Sequence, residues 1–97
     1  MRRAARRDEN EGEIVAALRV VGALVFPISA KDIPDLLVGW RGCWHVVEVK
    51  SEDGELTKGQ ERFAALARAS GLPHHEVRSI EEAFRALGIE FERRSGT

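Results

Sequence analysis

Three charged residues on two neighbouring segments have the types and spacing that chemistry needs. Asp35 follows Pro34 at the start of a predicted strand, and Glu48 and Lys50 stand two residues apart near the end of the next strand. Side chains two apart on a strand point to the same face of a sheet, so Glu48 and Lys50 project together. If the two strands pair as a hairpin, the Asp35 carboxylate approaches that of Glu48.

Such a group of side chains predicts metal-assisted chemistry on a phosphoryl group. Charged side chains are costly to bury at the end of a Val-rich strand unless they pair or bind something. Two converging carboxylates favour a cation, and oxygen ligands suit Mg²⁺ or Mn²⁺. A nearby Lys ammonium can orient a water molecule or neutralise phosphoryl charge. The alternative is a solvated hairpin end that carries a surface ion pair.

Short apolar runs and segments of helical period predict the elements that position these residues. The predicted order is α-β-β-β-α-β-α, a mixed α/β domain. In chain order the elements are expected at about 8–21, 23–26, 36–38, 43–50, 57–70, 74–78 and 79–87, with a turn at 39–42. Asp8 or Asn10 is expected to cap the first helix, and Ser79 to begin a capping box. The second helix is expected to turn Leu66 and Ala67 towards the sheet.

Length, charge and cysteine content exclude several classes of protein. The 97 residues predict one domain over 1–97, with an ordered core at about 8–92 between polar tails. A net charge of -1 excludes a wholly basic nucleic-acid coat, so DNA contact requires local basic patches. No apolar run suits a membrane span, and the basic start lacks the apolar stretch of a signal peptide. The single cysteine, Cys43, favours a reducing, cytoplasmic compartment.

The motifs around the charged residues resemble those of a nuclease superfamily. Pro34-Asp35 followed by Glu48-Val49-Lys50 is similar to the PD-(D/E)xK signature. The segments 34–39, 47–50 and 56–60 together resemble its VRR-NUC branch, in particular the small stand-alone phage-type members that act as Holliday-junction resolvases. The opening helical segment resembles that branch too, so the resemblance spans about 8–87. Position 33 is Ile where the branch usually has Gly.

This resemblance implies a restriction-endonuclease-like fold, in which helices flank a central mixed sheet, and Mg²⁺- or Mn²⁺-dependent hydrolysis of DNA. Carried over to this chain, Asp35, Glu48 and the Val49 carbonyl would bind the metal. Lys50 would position the attacking water and steady the charge of the transition state. Gln60 would accompany the catalytic Lys. A phage-encoded protein that acts in the host cytoplasm is implied as well.

The first helix offers a further carboxylate for the metal. Glu11 lies at the edge of the apolar stripe, whereas Glu13 lies about 200° round the helix from it, towards solvent. Glu11 is therefore the better candidate, although the helix dipole favours a carboxylate at that position without any metal. Gln60 likewise has a second explanation, because it can complete a capping box with Thr57.

Basic and aromatic residues predict the partners. The expected DNA contacts are Arg2, Arg3, Arg6, Arg7 and Lys58. The arginine cluster is alternatively a solvated tail. A small core and two tryptophans near the hairpin favour a homodimer that pairs through the Trp40–Trp44 hairpin or the last helix. Stacking on bases is the other explanation for the tryptophans.

Together with the resemblance, these features predict a Mg²⁺-dependent endonuclease selective for branched DNA. A homodimer suits this function, because a four-way junction has two symmetric scissile phosphates. The alternatives are a flap, nick or duplex nuclease of the same fold, and a non-catalytic nucleic-acid-binding module. A zinc site is not expected, since the spacing of its candidate ligands matches no usual pattern. Those candidates are Cys43, His45, His74 and His75.

Overall fold

A four-stranded mixed sheet carries the charged residues in a computed structural model, which describes residues 9–90. The predicted order of elements and the mixed α/β class are confirmed. The predicted core limits near 8 and 92 lie outside the described residues. The elements are α1 (Glu11–Val20), β1 (Leu24–Pro27), β2 (Leu36–Trp40), β3 (Cys43–Val49), α2 (Lys58–Ser70), β4 (His74–Val77) and α3 (Ile80–Ala86).

The strands lie side by side in their order along the chain, β1-β2-β3-β4. The pairs β1–β2 and β2–β3 are antiparallel, and β3–β4 is parallel, with α2 in the connection. A parallel pair needs such a crossover, which explains the helix between these strands. β3 is therefore an interior strand. Val46, Val47 and Val49 are buried, as their apolar side chains predict, and the charged Glu48 between them is buried as well.

The hydrophobic core lies between one face of the sheet and the pair α1 and α3. Strand residues such as Val38, Val47 and Val77 point to this face and pack against Leu18 and Phe84 of the two helices. The other face carries Glu48 and is covered by α2 only over β3 and β4. No helix within residues 9–90 has the length and hydropathy needed to cross a membrane.

The turn between β2 and β3 is tighter than the sequence predicts. Gly39 and Trp40 are expected in the turn, but β2 continues to Trp40, which pairs with Cys43. The turn is then Arg41-Gly42, with φ angles of 52° and 78°. Positive φ at both central residues is what a two-residue hairpin turn requires. Gly39 instead leaves room for the Trp44 indole. A Cβ atom on residue 39 would lie only 3.1 Å from the nearest indole carbon.

The face that α2 turns to the sheet also differs from the prediction. Leu66 is 64 % exposed, so its expected burial is wrong, whereas Ala64 and Ala67 are buried. Phe63 lies against the His74 ring at the margin of this contact. The small alanine side chains allow the helix to approach the strands closely, and this approach brings the start of α2 to the end of β3.

Two of the three helix starts use the predicted capping chemistry. Thr57 and Gln60 form a complete capping box at α2. At α3 only half of the predicted box forms, because Ser79 accepts from the Glu82 N–H but the Glu82 carboxylate accepts from the Arg78 N–H instead. Of the two residues expected to cap α1, Asp8 lies outside the described residues.

Asn10 occupies the N-cap position of α1 but makes no side-chain capping bond. Its Nδ2 instead donates to the Lys50 carbonyl at 3.1 Å and to the Arg78 carbonyl at 2.9 Å. These bonds join the start of α1 to the ends of β3 and β4. The same end of the sheet carries Glu48, so Asn10 holds the first helix beside the charged residues.

The Asn10→Ala variant is expected to lower the free energy of unfolding by about 1–3 kcal/mol, because it leaves two carbonyls without their donor. Asn10→Asp is the matched variant, since Asp caps a helix as well as Asn but cannot donate. Urea unfolding of both variants checks this. An Asn10→Asp protein as stable as the wild type would show that Asn10 acts only as a cap.

Candidate active site

The carboxylates of Asp35 and Glu48 meet where β2 begins and β3 ends. Leu36 pairs with Val47, so the next residue on each side, Asp35 and Glu48, lie next to each other across the hairpin. Asp35 Oδ2 also accepts from the Val49 N–H at 2.8 Å. The backbone of β3 thereby fixes the Asp35 carboxylate beside that of Glu48.

Glu48 is fully buried, with 0 % of its surface exposed. Its Oε1 accepts from Gln60 Nε2 at 3.2 Å, whereas its Oε2 has no hydrogen-bond partner. An ionised, buried carboxylate oxygen that receives no hydrogen bond costs free energy, because it has lost its water. A side-chain hydrogen bond with Asp35 favours the protonated form of Glu48 instead. This arrangement does not fit the alternative of a solvated ion pair at a hairpin end.

Burial, and after it the negative charge of Asp35, raises the pKa of the Glu48 carboxyl from 4.5 to about 7. The positive charge of Lys50 opposes this rise, so the ammonium lies within electrostatic reach of the carboxylate. Asp35 and Lys50 therefore both act electrostatically on Glu48. A bound cation beside Glu48 would remove the cost of its ionised form.

Gln60 belongs at once to the helix start and to the carboxylate pair. Its Oε1 accepts from the Thr57 N–H at 2.9 Å, which completes the capping box. Its Nε2 is then free to donate to Glu48. The capping box is therefore confirmed, and the same cap aims the Gln60 amide at the buried carboxylate.

Glu11 is buried, with 6 % of its surface exposed, whereas Glu13 is exposed. This difference agrees with the helical wheel. Within residues 9–90, however, no three side chains of His, Cys, Asp and Glu are grouped closely enough to hold a metal ion. Glu11 is therefore not grouped with Asp35 and Glu48 as a third metal ligand in this structure.

The oxygen atoms at this site fit a hard divalent cation. Glu48 offers a buried oxygen that lacks a partner, and the Asp35 carboxylate lies next to it. Carboxylate and backbone carbonyl oxygens are the ligands that Mg²⁺ and Mn²⁺ prefer. The donor set is thus complete enough to hold such an ion with water in the remaining positions.

The residues expected to contact DNA are only partly within the described chain. Lys58 is exposed in the first turn of α2, two residues before Gln60. Arg2, Arg3, Arg6 and Arg7 lie outside the described residues.

The histidines and the cysteine are divided between the two faces of the sheet. His45 Nδ1 and His75 Nε2 are 3.0 Å apart, on the face opposite Glu48. His74 lies against Phe63 of α2, and Cys43 is exposed. Burial lowers the pKa of all three histidines, so these rings favour their neutral forms.

Sequence reasoning missed two residues that hold the segments around the site. Asn10 was expected only to cap, and Arg78 was expected only to end a strand. Arg78 donates from Nη2 to the Gly54 carbonyl and from Nη1 to Glu76, both at 2.6 Å, which ties the loop after β3 to β4. No local signal marks either role, because the partners are far away along the chain.

The fold has a counterpart among solved structures. One described as "VRR_NUC domain" matches 87 % of this chain and 100 % of its own, with a TM-score of 0.68 and 26 % sequence identity. This chain has the fold of a VRR-NUC domain. No family model matches its sequence, and no curated protein matches it significantly. The VRR-NUC assignment indicates a nuclease of the PD-(D/E)xK type.

In the protein without metal, Glu48→Gln is expected to raise the melting temperature, and to raise it more at pH 8 than at pH 5. The pKa of Glu48 is about 7 in the folded protein and 4.5 as its ordinary value. Its protonated form therefore stabilises the fold at low pH, and this contribution is lost as the pH rises through 7. Gln keeps the shape without ionising.

Thermal unfolding in chelator at the two pH values checks this difference. Glu55→Gln, which changes an exposed carboxylate, is the control and should show no such difference between the two pH values. An equal effect of Glu48→Gln at both would contradict the burial of an ionisable Glu48.

Proposed function

We propose that this VRR-NUC domain is a Mg²⁺-dependent endodeoxyribonuclease that hydrolyses phosphodiester bonds in branched DNA, in the manner of a Holliday-junction resolvase. The observation that carries the proposal is the buried Glu48 carboxylate, whose Oε2 has no partner, beside Asp35 and near Lys50. In a purely structural domain, a buried carboxylate would only lower the free energy of unfolding. A metal-dependent enzyme has a use for this group, because the cation removes the cost only when it is bound.

Each residue of the site has a proposed role. Asp35, Glu48 and the Val49 carbonyl hold the metal, which supplies Lewis acidity and lowers the pKa of water. Lys50 donates to the attacking water and balances negative charge on the phosphoryl oxygens. Gln60 holds Glu48 Oε1 and so leaves Oε2 for the cation. Glu11 is buried at the start of α1, but it is not grouped closely enough with Asp35 and Glu48 for us to assign it to the metal.

Binding of DNA is proposed to depend on local positive charge. The chain has 15 Lys and Arg against 16 Asp and Glu, so the phosphates must meet concentrated basic residues. We assign this role to Lys58, beside the start of α2, and to Arg2, Arg3, Arg6 and Arg7. An exposed free thiol at Cys43 suits the reducing cytoplasm that the sequence predicts.

A second copy of the chain is the proposed partner of an apolar patch on the sheet face that α2 leaves open. The patch consists of Leu24, Phe26 and Trp44, which are 57 %, 51 % and 48 % exposed. A shallow cavity of about 330 Å³ adjoins it at the hairpin end. Clustered, exposed Leu, Phe and Trp side chains are typical of a protein interface rather than of a phosphate-rich one.

The other surfaces expected at the dimer interface are largely used within the protomer. Trp40 points to the face opposite Trp44, where it packs at the edge of the core with Arg41 over its ring. In α3, the apolar residues Ala83 and Phe84 are buried in the core. The proposed interface is therefore the patch around Trp44 rather than the whole hairpin or the last helix.

Lys50→Ala removes the positive charge beside the reacting phosphate, and Glu48→Gln weakens the metal site. Each is therefore expected to slow cleavage by about 10²-fold or more. Single-turnover assays on matched four-way, flap and linear DNA with Mg²⁺ check the rate and the substrate together. Glu55→Gln is the control and should cleave like the wild type. Chelator should abolish cleavage in all cases.

Three results of this assay would change the proposal. Wild-type rates in both site variants would mean that the carboxylates and the lysine are structural, and the binding-module alternative would replace the enzyme. Full cleavage in chelator would exclude the metal mechanism. Equal rates on flap, linear and four-way DNA would remove the selectivity for branched DNA and keep the nuclease.

Trp44→Lys is expected to convert a dimer into a monomer, because it places a charge in the apolar patch. Leu66→Lys is the matched control, since Leu66 is equally apolar and exposed but lies on α2, outside the patch. Light scattering at micromolar concentration measures the mass of each, and circular dichroism confirms folding. A monomeric wild type, or a Trp44→Lys protein that remains dimeric, would contradict this interface.

A further inference from the structure

The loop of residues 28–34 leads directly into Asp35 and touches the start of α2. Within this loop Asp32 has a φ of 64°, in the left-handed region that few residues other than Gly adopt without cost. Its carboxyl group occupies the space that a Cβ on residue 59 would need. The contact therefore exists only because residue 59 is Gly.

Gly59 lies at the second position of α2, directly before Gln60. An alanine would favour the helix more at such a position, so the glycine is a local cost. A carboxylate at the first turn of a helix is favoured by the helix dipole, so the start of α2 stabilises the Asp32 carboxylate in this position. Asp32 thus has an unfavourable backbone conformation, and Gly59 lowers the helix propensity of α2, at the point where the two residues touch.

The contact between Asp32 and Gly59 connects the two segments next to Glu48, which are the loop before Asp35 and the start of α2. Asp32 stands three residues before Asp35, with the buried Pro34 between them to limit the freedom of the backbone. Gly59 adjoins Gln60, which donates to Glu48 Oε1. A loop fixed against α2 therefore fixes Asp35 relative to Gln60 and to the carboxylate between them.

We propose that the pair of Asp32 and Gly59, here called the Asp32–Gly59 clasp, positions the metal-binding carboxylates. Neither residue touches the reacting atoms, so both are positioning residues. The inference rests on the proposed function, because it concerns the metal that Asp35 and Glu48 are proposed to hold. Loss of the clasp lets the 28–34 loop move and separates Asp35 from Glu48, which weakens metal binding.

The chain offers a matched control for Gly59. Gly12 is the second residue of α1, as Gly59 is of α2, but a Cβ on Gly12 would meet nothing within 4 Å. Gly12→Ala and Gly59→Ala are thus the same change at the same helical position. They differ in the contact with Asp32.

The test is calorimetric titration of Mn²⁺ into the full chain, beside thermal unfolding. Gly59→Ala is expected to weaken Mn²⁺ binding by about tenfold, as loss of a supporting contact does at other metal sites. Gly12→Ala should bind as the wild type does. A purely structural role for Gly59 would change the melting temperature alone and leave the Mn²⁺ affinity unchanged, and that result would overturn the clasp.

A double-mutant cycle with Asp32→Gly shows whether the two residues act as one contact. Asp32→Gly removes the carboxyl group and suits the positive φ, so it should fold even if Gly59→Ala does not. We expect it to weaken Mn²⁺ binding as much as Gly59→Ala does, and the double variant to show no further loss. Independent effects that multiply in the double variant would contradict the clasp.

The Glu48→Gln variant separates failure of the clasp from failure of the function. If the wild type binds Mn²⁺ and Glu48→Gln abolishes binding, while Gly59→Ala and Asp32→Gly bind normally, the clasp is wrong and the metal site stands. If the wild type binds no Mn²⁺, the proposed function is wrong and the clasp inference falls with it.

Discussion

Burial of the Glu48 carboxylate beside that of Asp35 is the constraint on which the rest of this structure depends. Glu48 lies one residue before the end of an interior strand, is fully buried, and no N–H or O–H donates to its Oε2. The β3 backbone holds Asp35 by the Val49 N–H, and Gln60 holds Glu48. The protein thus keeps two carboxylates together at a cost to its own stability, which a cation between them would remove.

Three further segments converge on the same end of the sheet. Asn10 joins the start of α1 to the ends of β3 and β4, and the 28–34 loop lies against the start of α2. The opposite end of that sheet face carries the apolar patch around Trp44. Glu48 and Trp44 share the face and are four residues apart on β3, about 13 Å. A second copy on the patch would therefore place two sites close to one dimer interface.

The sequence predicts those features that depend on periodicity and short spacing. The element order follows from apolar patterns, and the meeting of Asp35 and Glu48 follows from a hairpin with Leu36 opposite Val47. Prediction from sequence fails where the bonding partners are far apart along the chain. Asn10, for example, donates to the carbonyls of Lys50 and Arg78, which are 40 and 68 positions away. Prediction from sequence also fails where one residue type suits two structures. Gly39 is typical of a turn, but it lies in β2, where its lack of a side chain leaves room for the Trp44 indole.

Anomalous diffraction from crystals of the protein soaked in Mn²⁺ tests the central claim most directly. The account predicts a single strong peak at about 2.1 Å from oxygens of both Asp35 and Glu48, near the distance typical of such ions. The same crystals of Glu48→Gln should lack that peak. Mn²⁺ bound only elsewhere, or a Glu48 carboxylate that stays without a cation at saturating Mn²⁺, would contradict the account.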